Sequence, residues 1–429
     1  MSRRTVASPI KLRTPDSPLV RRHRPDYRVV LLMGILVLIG LVVLFAISPY
    51  RVESINLEGG TLDQAHFMQR QIIYLALGLG AFGVAAVAPL SVWKRFTNKI
   101  VLIGFAMCLV LAVLGLFLDG GPIIEAGGAT RWFNLGFSSF QPAELLKFGM
   151  LLYIAGFLGR KIQQGKINSV SETLVPLAVL VGVASLFVIV LQKDMGTGIT
   201  MLGMVAAMLF VSGLSRHLIA LSVAAAAGVG MLLIVTAPHR IERVMTFFSS
   251  NSSDASSYHI NQAAIALGSG GFFGRGLGHS VQAFGYLPEA LNDSIFAVLG
   301  ETFGFVGLIT ILAIFTALLM RLLRIQDHLV DPALRLIVAG VFGLIATHVV
   351  VNVGAMTGVF PLTGVTLPFL SFGGTSLLFM MLSLGLVLQI SRYTTHTDVN
   401  KVEAAHEDSQ RRRGVGRSRH AGPGSFKRA

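Results

Sequence analysis

Ten long runs of apolar residues are the feature that most constrains the fold of this chain. A helix needs roughly 20 apolar residues to cross the hydrocarbon core of a bilayer, and each run is close to that length. The chain is 53% hydrophobic and only 13% charged, and its mean hydropathy is +0.71, which is typical of membrane proteins. We therefore predict an all-α polytopic membrane protein with about ten transmembrane helices, near residues 29–48, 71–88, 100–118, 143–159, 173–191, 197–213, 217–237, 294–320, 335–357 and 374–391.

The basic residues predict how these spans are oriented. An even number of spans places both termini on one side, and with the N-terminus inside, 27 of the 35 Lys and Arg residues fall in inner tails and loops. Only 7 fall in outer loops, so the positive-inside rule predicts cytoplasmic termini. The net charge of +14 is then explained by topology and by attraction to anionic membrane lipids. The tails lack the interleaved aromatic residues of a nucleic-acid platform, so no nucleic-acid partner is expected.

Three regions follow from this topology. Residues 1–28 and 392–429 are basic and rich in Pro, Gly, Ser and Arg, and we expect disordered cytoplasmic tails. Residues 29–391 form the transmembrane domain, with a large outer loop at 238–293. The first span follows 28 polar residues without a cleavage site of small residues, which favours a retained anchor over a signal peptide. The single Cys108 excludes an intramolecular disulfide.

The first outer loop leads into a charged pair at the start of the fourth span. A helix is expected to begin at Pro142, which places Glu144 and Lys147 three residues apart on one face. An ion pair inside the membrane is a candidate functional site, and the alternative is a salt bridge that only fixes helix packing. Arg131, in the preceding loop, is either an interfacial anchor or a phosphate contact.

Two further outer segments carry polar candidates. Lys193 and Asp194 lie in a tight turn between the fifth and sixth spans, where a solvated hairpin is the alternative. Arg243 follows the seventh span in the large outer loop, and a short interfacial helix is expected later in that loop. The glycine-rich segment 268–278, "GSGGFFGRGLG", matches no nucleotide-binding motif. Its glycines are expected to let the backbone approach a membrane surface or a bulky substrate.

A segment at 358–373, "GVFPLTGVTLPFLSFG", is predicted to be irregular at membrane depth. Pro361 and Pro368 prevent a straight helix from continuing through it. Irregular backbone is tolerated in a membrane only where protein shields it from lipid. We therefore predict a re-entrant or broken segment that lines a cavity.

Four motifs in this order resemble the SEDS family of bacterial peptidoglycan glycosyltransferases, whose members are FtsW of division and RodA of elongation. The resemblance covers residues 30–392. The motifs read "RWFNLGFSSFQPAELLK", "QKDMGTG", "GRGLGHSVQAFGYLPEALNDSIFAVLGETFGFVG" and "VNVGAMTGVFPLTGVTLPFLSFGGTSLL".

The resemblance implies polymerisation of lipid II, a disaccharide-pentapeptide on undecaprenyl diphosphate, at the outer face of the cytoplasmic membrane. It also implies a class B penicillin-binding protein as transpeptidase partner, together with other division proteins. The last motif and the long basic tail favour the FtsW type and a septal location over the RodA type. No cofactor is evident, and a divalent cation is the alternative. Two other functions stay open: a flippase for lipid-linked precursors, and a scaffold without chemistry.

The resemblance also implies roles for individual residues. Asp293 occupies the position of the family's proposed catalytic aspartate, and Glu289 is the neighbouring acidic position. The alternative for Asp293 is a helix N-cap for the span that starts at residue 294. Glu144 and Lys147 match the family's intramembrane pair, and Arg70 matches a basic position before the second span.

A diphosphate leaving group requires positive charge, and four basic residues are candidates for it: Arg70, Arg131, Lys193 and Arg243. The family pattern has Gln-Pro-Asp where this chain has Gln192, Lys193 and Asp194. It also has a His-Thr pair before the aspartate, where this chain has Leu291 and Asn292. A second glutamate after Glu301 is replaced by Thr302. We expect Glu301 itself to have a structural role.

Overall fold

The computed structural model describes residues 24–57, 59–117, 121–126, 129–136, 138–235 and 255–394. Eleven α-helices make up most of these residues. The first seven are α1 (Tyr27–Leu57), α2 (His66–Val87), α3 (Leu90–Phe117), α4 (Pro142–Gln163), α5 (Val175–Ser185), α6 (Met195–Val211) and α7 (Arg216–Val235). The remaining four are α8 (Ala255–Ser269), α9 (Ile295–Asp327), α10 (Pro332–Met356) and α11 (Gly374–Ile390).

The predicted polytopic fold is confirmed, because a helix stands at each of the ten predicted positions. Eight helices are long and apolar enough to cross a membrane, with α5 extended by π-helical turns at Val170–Leu174 and Leu186–Leu191. The other two predicted spans are shorter apolar helices, α6 and α7. Helix α8 is the short helix expected in the large outer loop. Most of both predicted tails lies outside the described residues.

The loop between α3 and α4 contains a small antiparallel sheet, which the sequence did not predict. Its strands are β1 (Ile123–Ala126), β2 (Ala129–Asn134) and β3 (Ser139–Phe140), in the order β1-β2-β3. Phe133 pairs with both Ile123 and Phe140 across the sheet. β3 ends at Phe140, two residues before Pro142, and β2, which carries Arg131, packs against α4.

Three helices form the centre of the membrane domain. Most of the apolar window of α4, α10 and α11 is buried, whereas α1, α2, α3, α5 and α9 bury less than half of theirs. Helix α2 packs on α11, α3 on α4, and α6 on α10. Close contact depends on small residues, as in many membrane helix pairs: a Cβ on Gly104 of α3 would lie 2.9 Å from the Cα of Leu146 in α4. The central helices therefore provide a rigid support for the side chains at their ends.

Candidate functional site

The loop that precedes α9 carries Asp293 and is held by hydrogen bonds on both sides. Helix α9 begins at Ile295, with Ser294 at the N-cap position. The Ser294 hydroxyl donates to the Pro288 carbonyl at 2.8 Å and lies 2.6 Å from Nε2 of His259 in α8. Since the serine proton is used on Pro288, His259 is the donor in the second bond. Asp293 therefore lies one residue before the cap, and the N-cap interpretation of this residue is wrong.

A side chain of helix α10 holds the backbone of Asp293 in place. The side-chain nitrogen Nδ2 of Asn352 donates to the backbone carbonyl oxygens of Asp293 and Val365, each at 2.7 Å. Asp293 is half-buried as a residue, and its carboxylate faces Gly364, since a Cβ on that glycine would lie 3.9 Å from Oδ2. Gly364 is exposed and has a φ of +73°, a conformation that favours glycine. The carboxylate is thus placed at a surface where both a loop and a turn approach it.

Residues 357–373, called the broken segment below, connect α10 to α11 without regular structure from 361 to 367. The Phe372 amide donates to the Leu291 carbonyl at 2.8 Å, and the Leu367 amide donates to the Ser371 hydroxyl at 2.8 Å. A Cβ on Gly40 of α1 would lie 2.8 Å from the Phe369 carbonyl oxygen, so helix and segment touch. The predicted irregular segment is confirmed, and its second part, from 365 to 371, is largely buried in protein, as irregular backbone in a bilayer requires.

Three non-glycine residues of the described chain have a left-handed backbone, and all three lie around this region. They are Lys193 (φ 52°), Glu289 (φ 48°) and Phe369 (φ 66°). Each such residue costs roughly 1 kcal/mol or more, and such strain is concentrated at functional sites in many proteins. The surrounding packing must therefore hold the turn, the loop and the broken segment in place.

The predicted ion pair is present inside α4. The Nζ atom of Lys147 lies 2.8 Å from Oε1 of Glu144, and the two side chains are only 2% and 4% exposed. Lys147 Nζ also lies 3.5 Å from Nε2 of His348 in α10. His348 in turn bonds through Nδ1 to the Thr366 carbonyl at 3.0 Å. The pair is therefore connected through α10 to the broken segment.

Asp194 belongs to the start of α6. Its carboxylate accepts hydrogen bonds from the Thr197 amide (2.9 Å), the Thr197 hydroxyl (2.8 Å) and the Gln141 side-chain amide (2.7 Å). This is an N-cap with an additional bond to the residue before α4. The geometry accounts for Asp194 through the fold, and a role towards a substrate stays a prediction.

The basic candidates differ in their surroundings. The Arg131 guanidinium donates to the Lys193 carbonyl at 2.7 Å and lies 6.0 Å from the Trp132 ring. The sheet and the turn before α6 are therefore joined to each other. Arg70 is half-buried on α2, and the structure gives it no ion pair within the described ranges. Arg243 lies outside the described residues.

Glu289 is exposed and accepts a short hydrogen bond from the Asn292 side chain. Its carbonyl accepts from the amides of Asn292 (2.9 Å) and Ser294 (3.2 Å). Burial lowers the pKa of nearby His259 below its ordinary value of 6.5, and the charge of Glu289 partly opposes this shift. Glu289 therefore shapes the loop around Asp293.

The glycine-rich segment packs against a break in α9. Gly304 has φ 66° and ψ −168°, which interrupts the helix. The amides of Arg275 and Gly276 donate to the carbonyls of Glu301 and Thr302 at 2.9 and 3.0 Å, which supplies partners for groups that the break would leave unpaired. The close backbone approach seen here is thus to α9, and the expected approach to a membrane surface or a substrate stays a prediction.

Glu301 anchors the same segment to α9. Its carboxylate is fully buried and accepts from the Ser280 hydroxyl (2.6 Å) and the amides of Val281 (3.0 Å) and Gln282 (3.2 Å). Arg275 lies 3.8 Å away as an ion-pair partner. The contacts agree with the expected structural role.

Sequence reasoning missed three polar residues of this region: His259, His348 and Asn352. The last two are polar residues four positions apart in an apolar helix, a pattern that marks functional positions in membranes. His259 carried no such signal, because its helix lies in a polar loop. Among the described residues, no group of three His, Cys, Asp or Glu side chains is placed to hold a metal ion.

Residues 27–396 match the FtsW/RodA/SpoVE family of cell cycle proteins. The chain belongs to this family. Stage V sporulation protein E of Bacillus subtilis is 34% identical over 88% of this chain and 99% of its own length. The probable peptidoglycan glycosyltransferase FtsW of Thiomicrospira cyclica is 34% identical over 86% of this chain and 92% of its own length.

Solved structures of the FtsW/RodA/SpoVE family have the same fold. A chain from a peptidoglycan synthase complex, described as coordinating polymerization and crosslinking, superimposes with a TM-score of 0.65 and 26% identity, covering 87% of this chain and 99% of that chain. The rod shape determining protein RodA of Thermus thermophilus gives 0.57 and 26% identity, covering 87% and 98%. The chain is thus a multi-pass membrane protein with the SEDS fold.

Proposed function

We propose that this protein is a peptidoglycan glycosyltransferase of the FtsW type, which polymerises lipid II at the outer face of the bacterial cytoplasmic membrane during division. The observation that carries the proposal is the carboxylate of the half-buried Asp293, held between the loop before α9 and the Gly364 turn. Several relatives named as probable peptidoglycan glycosyltransferase FtsW support this assignment.

The reaction needs a base at the acceptor sugar. The 4-hydroxyl of one lipid II attacks the anomeric carbon of another, the hydroxyl proton passes to the base, and the bond to the diphosphate breaks. A positioned carboxylate in this role contributes about 10²- to 10⁴-fold. For inversion the base stands on the face opposite the leaving group. Asp293 has this role in the proposal, because it lies just before the start of α9, a helix long and apolar enough to cross the membrane.

The diphosphate leaves with its lipid and requires charge neutralisation more than a proton. Arg131 donates to the backbone carbonyl of Lys193, which brings two basic candidates for this task together. Arg70 and Arg243 remain candidates. Whether a divalent cation assists is tested by measuring polymerisation with and without a chelator.

The test uses the purified full-length chain in liposomes, with lipid II on the outer side and a class B penicillin-binding protein present or absent. We expect glycan strands from the wild type and a loss of at least about 10²-fold in Asp293→Asn. The matched control is Asp327→Asn, the same change at the other end of α9. A folded Asp293→Asn variant with full activity would refute the catalytic role.

The same preparation separates the alternatives. A flippase moves lipid II across the bilayer without forming glycan, and a scaffold loses its role when the tails are deleted. We further propose that both termini are cytoplasmic and that the transpeptidase and other division proteins are partners at the septum. Accessibility of terminal tags to a membrane-impermeant reagent tests the orientation, and septal or lateral location of a fluorescent fusion separates the FtsW type from the RodA type.

A further inference from the structure

Helix α10 carries two buried polar side chains near the outer side, His348 (4% exposed) and Asn352 (1% exposed). They are four residues apart and therefore lie on one face of the helix. Burying such groups costs free energy unless they form hydrogen bonds. Both do so with residues far away in the sequence, which indicates that they hold separate parts of the chain together.

Asn352 joins the loop of Asp293 to the broken segment. One amide nitrogen donates to the carbonyls of Asp293 and Val365, which uses both of its protons. Of the two acceptor residues, Asp293 carries the proposed catalytic carboxylate, and Val365 directly follows Gly364. One side chain therefore bridges the backbone of Asp293 and the residue that follows Gly364, in addition to the bond from the Phe372 amide to the Leu291 carbonyl.

His348 joins the broken segment to the buried ion pair. The Thr366 carbonyl only accepts, so Nδ1 of His348 carries the proton. Nε2 is then an acceptor that faces Lys147 Nζ at 3.5 Å. Lys147 is itself bonded to Glu144 at 2.8 Å. A continuous series of contacts therefore runs from the ion pair of α4 through His348 to the residue next to Val365.

We propose that His348 and Asn352 are positioning residues, called the α10 clamp, that hold Asp293 and the Gly364 turn in the geometry needed for glycosyl transfer. The inference rests on the proposed function and adds residues that act through Asp293 without touching the sugar. A displacement of about 1 Å at a reacting group costs roughly 10²-fold in rate. The clamp therefore affects turnover much more than lipid II binding.

Steady-state polymerisation of lipid II by the reconstituted full chain tests the proposal. In Asn352→Ala we expect kcat to fall about 10- to 100-fold, with KM changed less than about twofold. His348→Leu should behave similarly, whereas His348→Gln, which keeps a donor and an acceptor, should recover part of the rate. The matched control is Val338→Ala, a buried truncation in the same helix about 21 Å nearer the inner end. The control should keep the wild-type kcat.

Hydrogen–deuterium exchange of the same variants tests the clamp independently of activity. We expect faster exchange in Asn352→Ala at residues 288–294 and 360–373, and unchanged exchange in α4. Wild-type exchange and kcat in a folded Asn352→Ala variant would overturn the clamp while leaving the proposed function intact. A fall in kcat matched by Val338→Ala would also overturn it. Absence of polymerisation by the wild type with its partner would overturn the proposed function, whatever the exchange shows.

Discussion

Replacing Lys147 with methionine removes the charge of a side chain that is only 2% exposed and leaves Glu144, which is 4% exposed, without its cation. The Oε2 atom of Glu144 already lacks a hydrogen-bond partner within the described residues. An unpaired carboxylate at this depth has little access to water. The variant therefore reports how strongly the fold depends on the pair.

The size of the effect follows from burial and from the 2.8 Å contact. Removing one partner of a buried pair costs about 3–5 kcal/mol, whereas replacing both by apolar residues of similar volume is often close to neutral. In the double variant Glu144→Met/Lys147→Met, Nε2 of His348 loses its donor, which adds about 1 kcal/mol to the loss of folding stability. We expect each single variant to lose about 3–5 kcal/mol and the double variant less than about 2. The coupling is then about 4 kcal/mol or more.

The measurement is reversible unfolding in mixed detergent micelles, which is monitored by tryptophan fluorescence. Trp93 lies edge-to-face with Phe148, the neighbour of Lys147, at 5.7 Å between ring centroids and therefore reports on α4. The wild type, both single variants and the double variant form a complete cycle. Polymerisation by the folded fraction of each variant is measured in parallel.

Single variants that each lose less than about 1 kcal/mol and add up in the double variant would refute this reasoning. A Glu144→Ala variant with normal stability and lost polymerisation would instead favour a direct role in substrate binding. Loss of stability with activity retained per folded molecule agrees with a mainly structural pair.

Three further results are expected. Glu301→Gln loses acceptor capacity for its three donors and should cost about 1–3 kcal/mol, seen as faster proteolysis of residues 270–290. Gly274→Ala has a φ of +80° and a Cβ that clashes with the Thr302 carbonyl, so little folded protein should be recovered, whereas Gly228→Ala meets open space and should fold normally. Burial lowers the pKa of His259, so as the pH falls this histidine is protonated in the unfolded chain before it is protonated in the folded one. The stability that neutral His259 contributes is therefore full above about pH 6.5 and is lost below it. The decrease in unfolding temperature between about pH 7.5 and 5.5 should be smaller in His259→Gln than in the wild type.

Features that depend on neighbours in the chain were predictable. Apolar runs of membrane length gave all ten helix positions, because a helix satisfies its own backbone in lipid. Pro142 marked the start of α4, and the spacing of Glu144 and Lys147 predicted their contact. Pro361 and Pro368 predicted the broken segment for the same local reason. The family motifs added the position of Asp293, for which spacing alone left two interpretations.

The sequence by itself thus determined the spans, the charged pair and the carboxylate before α9, since each depends on residues within a few positions of one another. Only the tertiary structure decided what these residues touch. Asn352 contacts Asp293 across 59 positions, and Lys147 contacts His348 across 201. Such contacts depend on how α4, α10 and the broken segment are arranged in space, and the packing of small and large residues between helices determines that arrangement.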